Sequence, residues 1–271
     1  VYADLEPELR VTSEGHLRVV TLNRPDHRNA VDARMHASLA QVWRRLADDR
    51  NARAVLLLGE GPIFTAGGDF SWFEELRADR AALEESFRHG QQIVDDVIRL
   101  PIPLVAGIRG GAVGIGASLG VLADIVVMSE DGFYRDPHAM LGLVPGDGGV
   151  AVWPASVPLQ TAKQYLLLGE RLDAQKAERL GMVNMVVPSD QVDEQARAIA
   201  VRLTKLPPQA ISNTKRALNL HLERSARGVI EFGLAAEALG HTTPEFQLMA
   251  NERAEKAAVK NGAAQGTGPR S

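Results

Sequence analysis

The sequence predicts an α/β fold, with strands in a buried layer and helices packed on it through crossover connections. Three observations carry this reading. Short apolar runs such as "LRVV", "AVLLL" and "IVVM" alternate with segments of helical period. Hydrophobic residues fill 45% of 271 positions, enough for a sizeable core. Glycine (25) and proline (14) gather in a few loops, which separates the elements cleanly.

The elements follow in order. "LRVVTLNRP" reads as a strand that turns at Pro25. Asp32 suits a helix N-cap, and Met35, Leu39, Val42 and Leu46 recur three or four apart behind it. "ARAVLLLGEG" is a buried strand closed by Gly59 and Gly61. A helix starts near Phe70, and another covers about Ala81 to Leu100. "IPLVAGIRG" is a third strand, "GASLGVLAD" holds a short helix, and "IVVMSE" is a fourth strand. "LQTAKQYLLLG", "LDAQKAERLG" and Gln191 to Leu206 are helical, with "MVNMVVP" a short strand among them. From Pro208 the chain reads as helix over Gln209 to Leu239 and Pro244 to Val259, the second with Phe246, Met249 and Ala250 on one face. This divides the chain into a core over 1–200, a helical region over 201–260 and a disordered tail over 261–271.

Composition removes whole classes of function. Lys+Arg 30 against Asp+Glu 34 gives −4, so no general nucleic-acid surface is expected. Cys 0 excludes disulfides, thiolate metal sites and a cysteine nucleophile, and a reducing cytoplasm is the expected compartment. No stretch reaches the roughly 18 apolar residues of a membrane span, and no signal peptide is evident. His16, His27, His36, His89, His221 and His241 are scattered without zinc-ligand spacing, so no metal is expected. "GGAVGIGA" and "TAGGD" lack the context of a nucleotide fingerprint.

Chemistry points to two loops and one histidine. Gly67-Gly68 and Gly110 to Gly116 each run from a buried strand into a helix. Glycine lets the backbone approach a ligand, and the first amides of a helix have no internal partner. Two such amides aimed at one point would hold a carbonyl oxygen as it gains charge; the alternative is tight helix–sheet packing. In "FYRDPHAMLGLVPGDGG", Asp136 and Pro137 suit the start of a short helix that fixes His138. Asp147 in "PGDGG" is either a turn residue or the histidine's partner in proton transfer. Ser118 does not sit in a hydrolase nucleophile elbow. Glu237, in "FGLAAEALG", is either exposed or an acid at a pocket rim. Trp43, Trp72 and Trp153 are packing residues, with Trp72 placed to line a pocket.

These residues together resemble the crotonase superfamily. "LNRPDHRNAVDARM", "GPIFTAGGDF", "PLVAGIRGGAVGIGASLGVLADIVV", "LGLVPGDGG" and "LLLGERLDAQKAERLGMVNMVVP" are similar to its motifs in the same order. The resemblance implies a crotonase-like (ClpP/crotonase) spiral of β-β-α units with a C-terminal helical trimerisation region, giving a homotrimer or a dimer of trimers. It implies oxyanion donors at the amides of Gly68 and Ile115, with Ala66, Asp69, Gly114 and Ser118 beside them as substrate-binding residues. It also implies an acyl-CoA held near Ala30 by Arg24, His27 and Arg28, with Lys256 or Lys260 from a terminal helix. Coenzyme A would then be part of the substrate, with no tightly bound cofactor. The two glutamates of true hydratases fall on Ser118 and His138, so the usual acid–base pair is missing. "DPHAMLGLVPGDGG" instead resembles the β-diketone hydrolase branch, in which His138, Asp147 and Glu237 match active-site groups. That branch's second histidine has no counterpart at Gly114 to Gly116, and its pocket tryptophan falls near Val31. The expected function is enolate chemistry on an acyl-CoA or related carbonyl substrate. The alternatives are CoA-independent carbon–carbon hydrolysis of a diketone, and a non-catalytic binding protein of the same fold.

Overall fold

The computed structural model of the chain describes residues 2, 5, 7–249 and 251. The expected tail, Lys256, Lys260 and the end of the last expected helix lie outside the described residues.

The chain opens with a hairpin. Strand β1 (Leu9–Glu14) pairs antiparallel with β2 (Leu17–Leu22) through Gly15, whose φ is 60°. Helix α1 (Ala33–Asp48) follows, and Asp32 caps it by accepting the Met35 amide at 2.9 Å. Next come β3 (Ala54–Gly59), α2 (Phe70–Ala78) and α3 (Arg80–Arg99); the two helices are separated at Asp79, which caps the second. The central segment runs β4 (Leu104–Ile108), β5 (Gly111–Val113), α4 (Ile115–Leu122), β6 (Ile125–Ser129) and β7 (Phe133–Arg135). Then follow α5 (Gly149–Ser156), α6 (Leu159–Leu168), β8 (Arg171–Asp173), α7 (Ala174–Leu180) and β9 (Met185–Val187). Helices α8 (Val192–Thr204), α9 (Pro208–Ala226) and α10 (Val229–Gly240) complete the order, and the chain is helical again over 244–249.

The strands form two sheets. The larger has the order β1-β2-β3-β4-β6-β9, parallel except for the opening hairpin; the smaller has the order β5-β7-β8. Each turn of the chain gives one strand to the large sheet, a short strand or bridge to the small one, and then a helix. This is a spiral of β-β-α units with a helical C-terminal region. Alternation in β2 divides the core. Val20 and Leu22 join the main cluster with Met35 and Trp43, while Leu17 and Val19 face Val192, Ala196 and Ala200 of α8. A Cβ at Gly107 would lie 2.7 Å from Leu58 Cδ2 and 3.2 Å from Ala196, so this glycine lets α8 close on the sheet.

The structure corrects the element reading in four places. The expected helix over Gln209 to Leu239 is two helices, because Gly228 turns left-handed at φ 77° and ends the run. β1 was not expected, since it is an edge strand with only Leu9 buried in a polar stretch. The three-residue strands β5, β7 and β8 are too short to show a period. Helix α5 was hidden by Gly149 and by Pro154 inside it. Among the described residues no helix is long and apolar enough to cross a membrane.

One buried side chain ties the two glycine loops together. Thr65 forms a parallel bridge to Ala112, with its amide donating to Gly111 O at 3.1 Å and Val113 N donating to Thr65 O at 3.3 Å. Its hydroxyl donates to Asn29 O at 2.6 Å and accepts the Gly67 amide at 3.1 Å. Replacing Thr65 by isosteric valine leaves a buried carbonyl and a buried amide unpaired. Thr65→Val is therefore expected to lower unfolding free energy by about 1–3 kcal/mol, read as an earlier urea midpoint at unchanged slope. A midpoint equal to wild type would show that the hydroxyl does not hold the loop.

Candidate active site

The two loops meet at a cavity of about 770 Å³, counting its open mouth. Ala66, Gly67 and Gly68 form one wall and Val113, Gly114 and Ile115 another. Gly114 has φ 55°, and a Cβ there would lie 3.7 Å from His138 Cε1 and 4.0 Å from Gly67 Cα. Both loops and the imidazole thus adjoin. Gly68 bridges to Val31 through its neighbours: Val31 N donates to Gly67 O and Asp69 N donates to Val31 O, each at 2.8 Å. A parallel bridge of this kind turns Gly68's own amide away from Val31. Ile115 is the first residue of α4, so its amide has no carbonyl one turn back. Among the described residues neither amide donates to another backbone group.

His138 is fixed by the turn that carries it. It opens a short 3-10 turn, His138–Leu141, behind Pro137 and ended by Gly142 at φ 76°. Asp136 is buried and holds the ring: His138 Nδ1 and Asp136 Oδ1 are 2.6 Å apart, and the same oxygen accepts the His138 amide at 3.2 Å. The other ring nitrogen faces two acids. Nε2 is 3.8 Å from Asp147 Oδ2 and 3.7 Å from Glu237 Oε1. All three residues line the cavity. The glycines of "PGDGG" make room for this charge. A Cβ at Gly146 would sit 2.7 Å from Glu237 Oε2, and one at Gly149 would sit 2.5 Å from Asp136 Oδ2.

Burial and mutual attraction set the protonation states. Burial alone would lower the His138 pKa, but Asp136, Asp147 and Glu237 outweigh it and raise the ring well above its ordinary value. Burial pushes Asp147 up to about 6, opposed by His138 and reinforced by Asp136. Burial pushes Glu237 further, to about 8, with His138 again opposing and Asp147 and Asp136 adding. The surroundings thus favour a cationic ring, and they push Glu237 further toward its protonated form than Asp147. Two carboxyl groups of unequal proton affinity flank one ring. Asp136, His138 and Asp147 also bring possible ligand atoms within 4.8 Å of one another. The short Nδ1 contact is a hydrogen bond to Asp136, which leaves only Nε2 of that ring for any ion.

The other expected contacts scatter. Ala66 and Gly114 line the cavity; Trp72 does too, as the sequence suggested. The Arg24 guanidinium bonds Ala30 O and lies 3.1 Å from Asp69 and 3.4 Å from Asp32, so it is engaged within the protein. Asp69 also caps α2 by accepting the Ser71 amide. His27 and Arg28 are exposed, and Ser118 is buried behind Asp147 rather than in the cavity wall. Sequence reasoning read Asp136 only as a cap and missed it as the ring's partner, although "DPH" places the two within one tight turn. It also set aside His36 and His241, which line the cavity. They lie far apart in the chain, and only the fold brings both to one space.

Residues 12–248 match the enoyl-CoA hydratase/isomerase family. The carnitinyl-CoA dehydratase of Proteus mirabilis is 30% identical over 212 residues, 78% of this chain and 80% of that protein. Among solved structures, an enoyl-CoA hydratase/isomerase from Mycobacterium paratuberculosis superposes with TM-score 0.90 at 42% identity, covering 92% of this chain and 99% of that one. A beta-diketone hydrolase from Anabaena sp. PCC 7120, bound to (S)-3-oxocyclohexyl acetic acid, superposes with TM-score 0.82 at 26% identity, covering 89% and 96%. The order of loops, the β-β-α spiral and these matches agree, and the chain belongs to the enoyl-CoA hydratase/isomerase family of the crotonase superfamily.

Proposed function

We propose that this protein is an enzyme that forms and stabilises an enolate of an acyl-CoA thioester, with Asp147 as base and Glu237 as acid. The observation that carries the reading is His138 Nε2 lying 3.8 Å from one carboxyl and 3.7 Å from the other, in a cavity walled by Gly68 and Ile115. The Gly68 and Ile115 amides would hold the thioester oxygen as charge develops on it. Asp147 would take a proton from the substrate or from an attacking water. Glu237 would return a proton to carbon or to a leaving oxygen. His138, tethered to Asp136, would keep the two carboxyls in opposite states and move protons between them. The pair replaces the two glutamates missing at Ser118 and His138, so loss of those glutamates does not remove acid–base chemistry.

A second reading is hydrolysis of a carbon–carbon bond in a 1,3-diketone. Engagement of Arg24 with Asp69 and Asp32 favours it, since one expected phosphate contact is already neutralised. Water activated by Asp147 would add to one carbonyl. The bond between that carbon and the central carbon would break, its electron pair passing to an enolate held by the amides. Glu237 would protonate the central carbon, leaving a carboxylic acid and a ketone.

A substrate panel separates the two. The acyl-CoA reading expects saturable turnover of enoyl- or hydroxyacyl-CoA thioesters, reduced about 10²–10⁴-fold in Asp147→Asn and in Glu237→Gln. Turnover of cyclic 1,3-diketones with no response to any thioester would transfer the assignment to the second reading. Neither activity, in a folded protein, would reject both.

The acid–base assignment also fixes a pH profile. Asp147 must lose its proton, so kcat/KM should rise through about pH 6. Glu237 must keep its proton, so kcat/KM should fall through about pH 8. The expected curve is a bell centred near neutrality whose alkaline limb disappears in Glu237→Gln. A rate that climbs steadily to pH 9 would contradict these roles.

A further inference from the structure

Part of the same cavity is walled mainly by rings. Phe70, Trp72, Phe73, Phe87 and Leu234 supply apolar surface, and His36 and His241 stand among them. The His36 ring packs 4.8 Å from Trp72, Trp72 stacks 6.3 Å from Phe73, and Phe73 meets His241 edge-on at 6.3 Å. The two imidazoles therefore bracket an aromatic pair. Both residues are only 5% exposed. Nδ1 of each ring is sealed in the packing with no hydrogen-bond partner, and among the described residues Nε2 of each has none either. Buried polar groups are nearly always paired, so two unsatisfied imidazoles in one cavity wall need an explanation.

The chemistry of the rings narrows what fits. Both are held neutral by burial, His36 at about 3 and His241 at about 4, and nearby histidines add to the effect. A neutral imidazole carries one N–H and one lone pair. A sealed nitrogen without an acceptor is better left as the lone pair, because orphaned buried N–H groups are the rarer and costlier case. The N–H then falls on Nε2, the nitrogen left to the cavity. Each ring thus offers an uncharged donor, and the nearest cationic group, His138, is already engaged by Asp136, Asp147 and Glu237. A carboxylate would lose its hydration there without a counter-charge, whereas an uncharged oxygen acceptor would not.

Resting on the enolate chemistry proposed above, we infer that His36 and His241 are specificity-determining residues that receive a second, uncharged oxygen of the substrate, a keto or hydroxyl group other than the reacting carbonyl. The natural substrate is then an oxygenated acyl or ring compound rather than a plain alkyl chain. No bond to the protein forms or breaks at these residues.

The test uses matched pairs differing only in the additional oxygen, in both substrate forms. Hexanoyl-CoA is compared with 5-oxohexanoyl-CoA by titrating tryptophan fluorescence. 2-Butylcyclohexane-1,3-dione is compared with 2-(3-oxobutyl)cyclohexane-1,3-dione by KM. The expected result in at least one form is a preference of about tenfold or more for the oxygenated partner, the size of one good hydrogen bond to a buried site. His36→Phe and His241→Phe keep ring packing and should each cut that preference to below about threefold, mainly through Kd or KM. The unliganded variants should melt no lower than wild type, since each removes an unsatisfied polar ring. Equal binding of both partners overturns this inference alone. No binding of any compound overturns it together with the enolate reading. A clear loss of melting temperature in both unliganded variants would make the rings structural and also overturn it.

Discussion

A buried pocket can carry only limited charge, and this constraint organises the site. Removing an ion from water costs several kcal/mol unless a partner compensates it. Here one imidazole is surrounded by Asp136, Asp147 and Glu237, all buried or nearly so. One cation offsets one carboxylate at close range, and Asp136 takes that place at 2.6 Å. Asp147 and Glu237 then compete for what remains, so one keeps its charge near neutral pH and the other keeps its proton. The division of acid and base roles proposed above would follow from this crowding.

The fold supplies the geometry that makes this crowding useful. The loops carrying Gly68 and Ile115 come from different turns of the spiral, and each would drift without a tie. The Thr65–Ala112 bridge and the Thr65 hydroxyl pin them side by side. The short strand β7 delivers Asp136 and His138 beside β5, where Gly114 N donates to Arg135 O at 2.9 Å. Helix α10 comes from the C-terminal region and brings Glu237 against Gly146, near the same ring nitrogen as Asp147. Four chain segments thereby meet at one cavity.

Much of this was legible in the sequence, for physical reasons. A strand running into glycines and then a helix is a local pattern, so both loops could be found. His138 and Asp147 could be named because proline and glycine confine them to a short segment. Strands β2, β3, β4, β6 and β9 of the large sheet could be named from short apolar runs, whereas β1 could not. What escaped depends on contact rather than pattern. Three-residue strands have no period, and the break at Gly228 looks like any glycine between helical runs. Glu237 could be named only with its exposure open, because the apolar residues around it fit either an outer helix face or a pocket wall. Asp136 was hidden by its other role, since the oxygen that caps the turn also holds the ring. His36 and His241 carried no signal, because their meaning lies in a cavity made by helices that the sequence separates.

The central claim is that His138 is doubly protonated in the resting enzyme and mediates between Asp147 and Glu237. The most direct measurement is ¹⁵N NMR of the imidazole in protein labelled at histidine, assigned by difference against His138→Gln and followed from pH 5 to 9. The account predicts two protonated ring nitrogens at pH 7, with the Nδ1 proton held strongly downfield by Asp136. A neutral ring at pH 7, with one nitrogen carrying a lone pair, would contradict it.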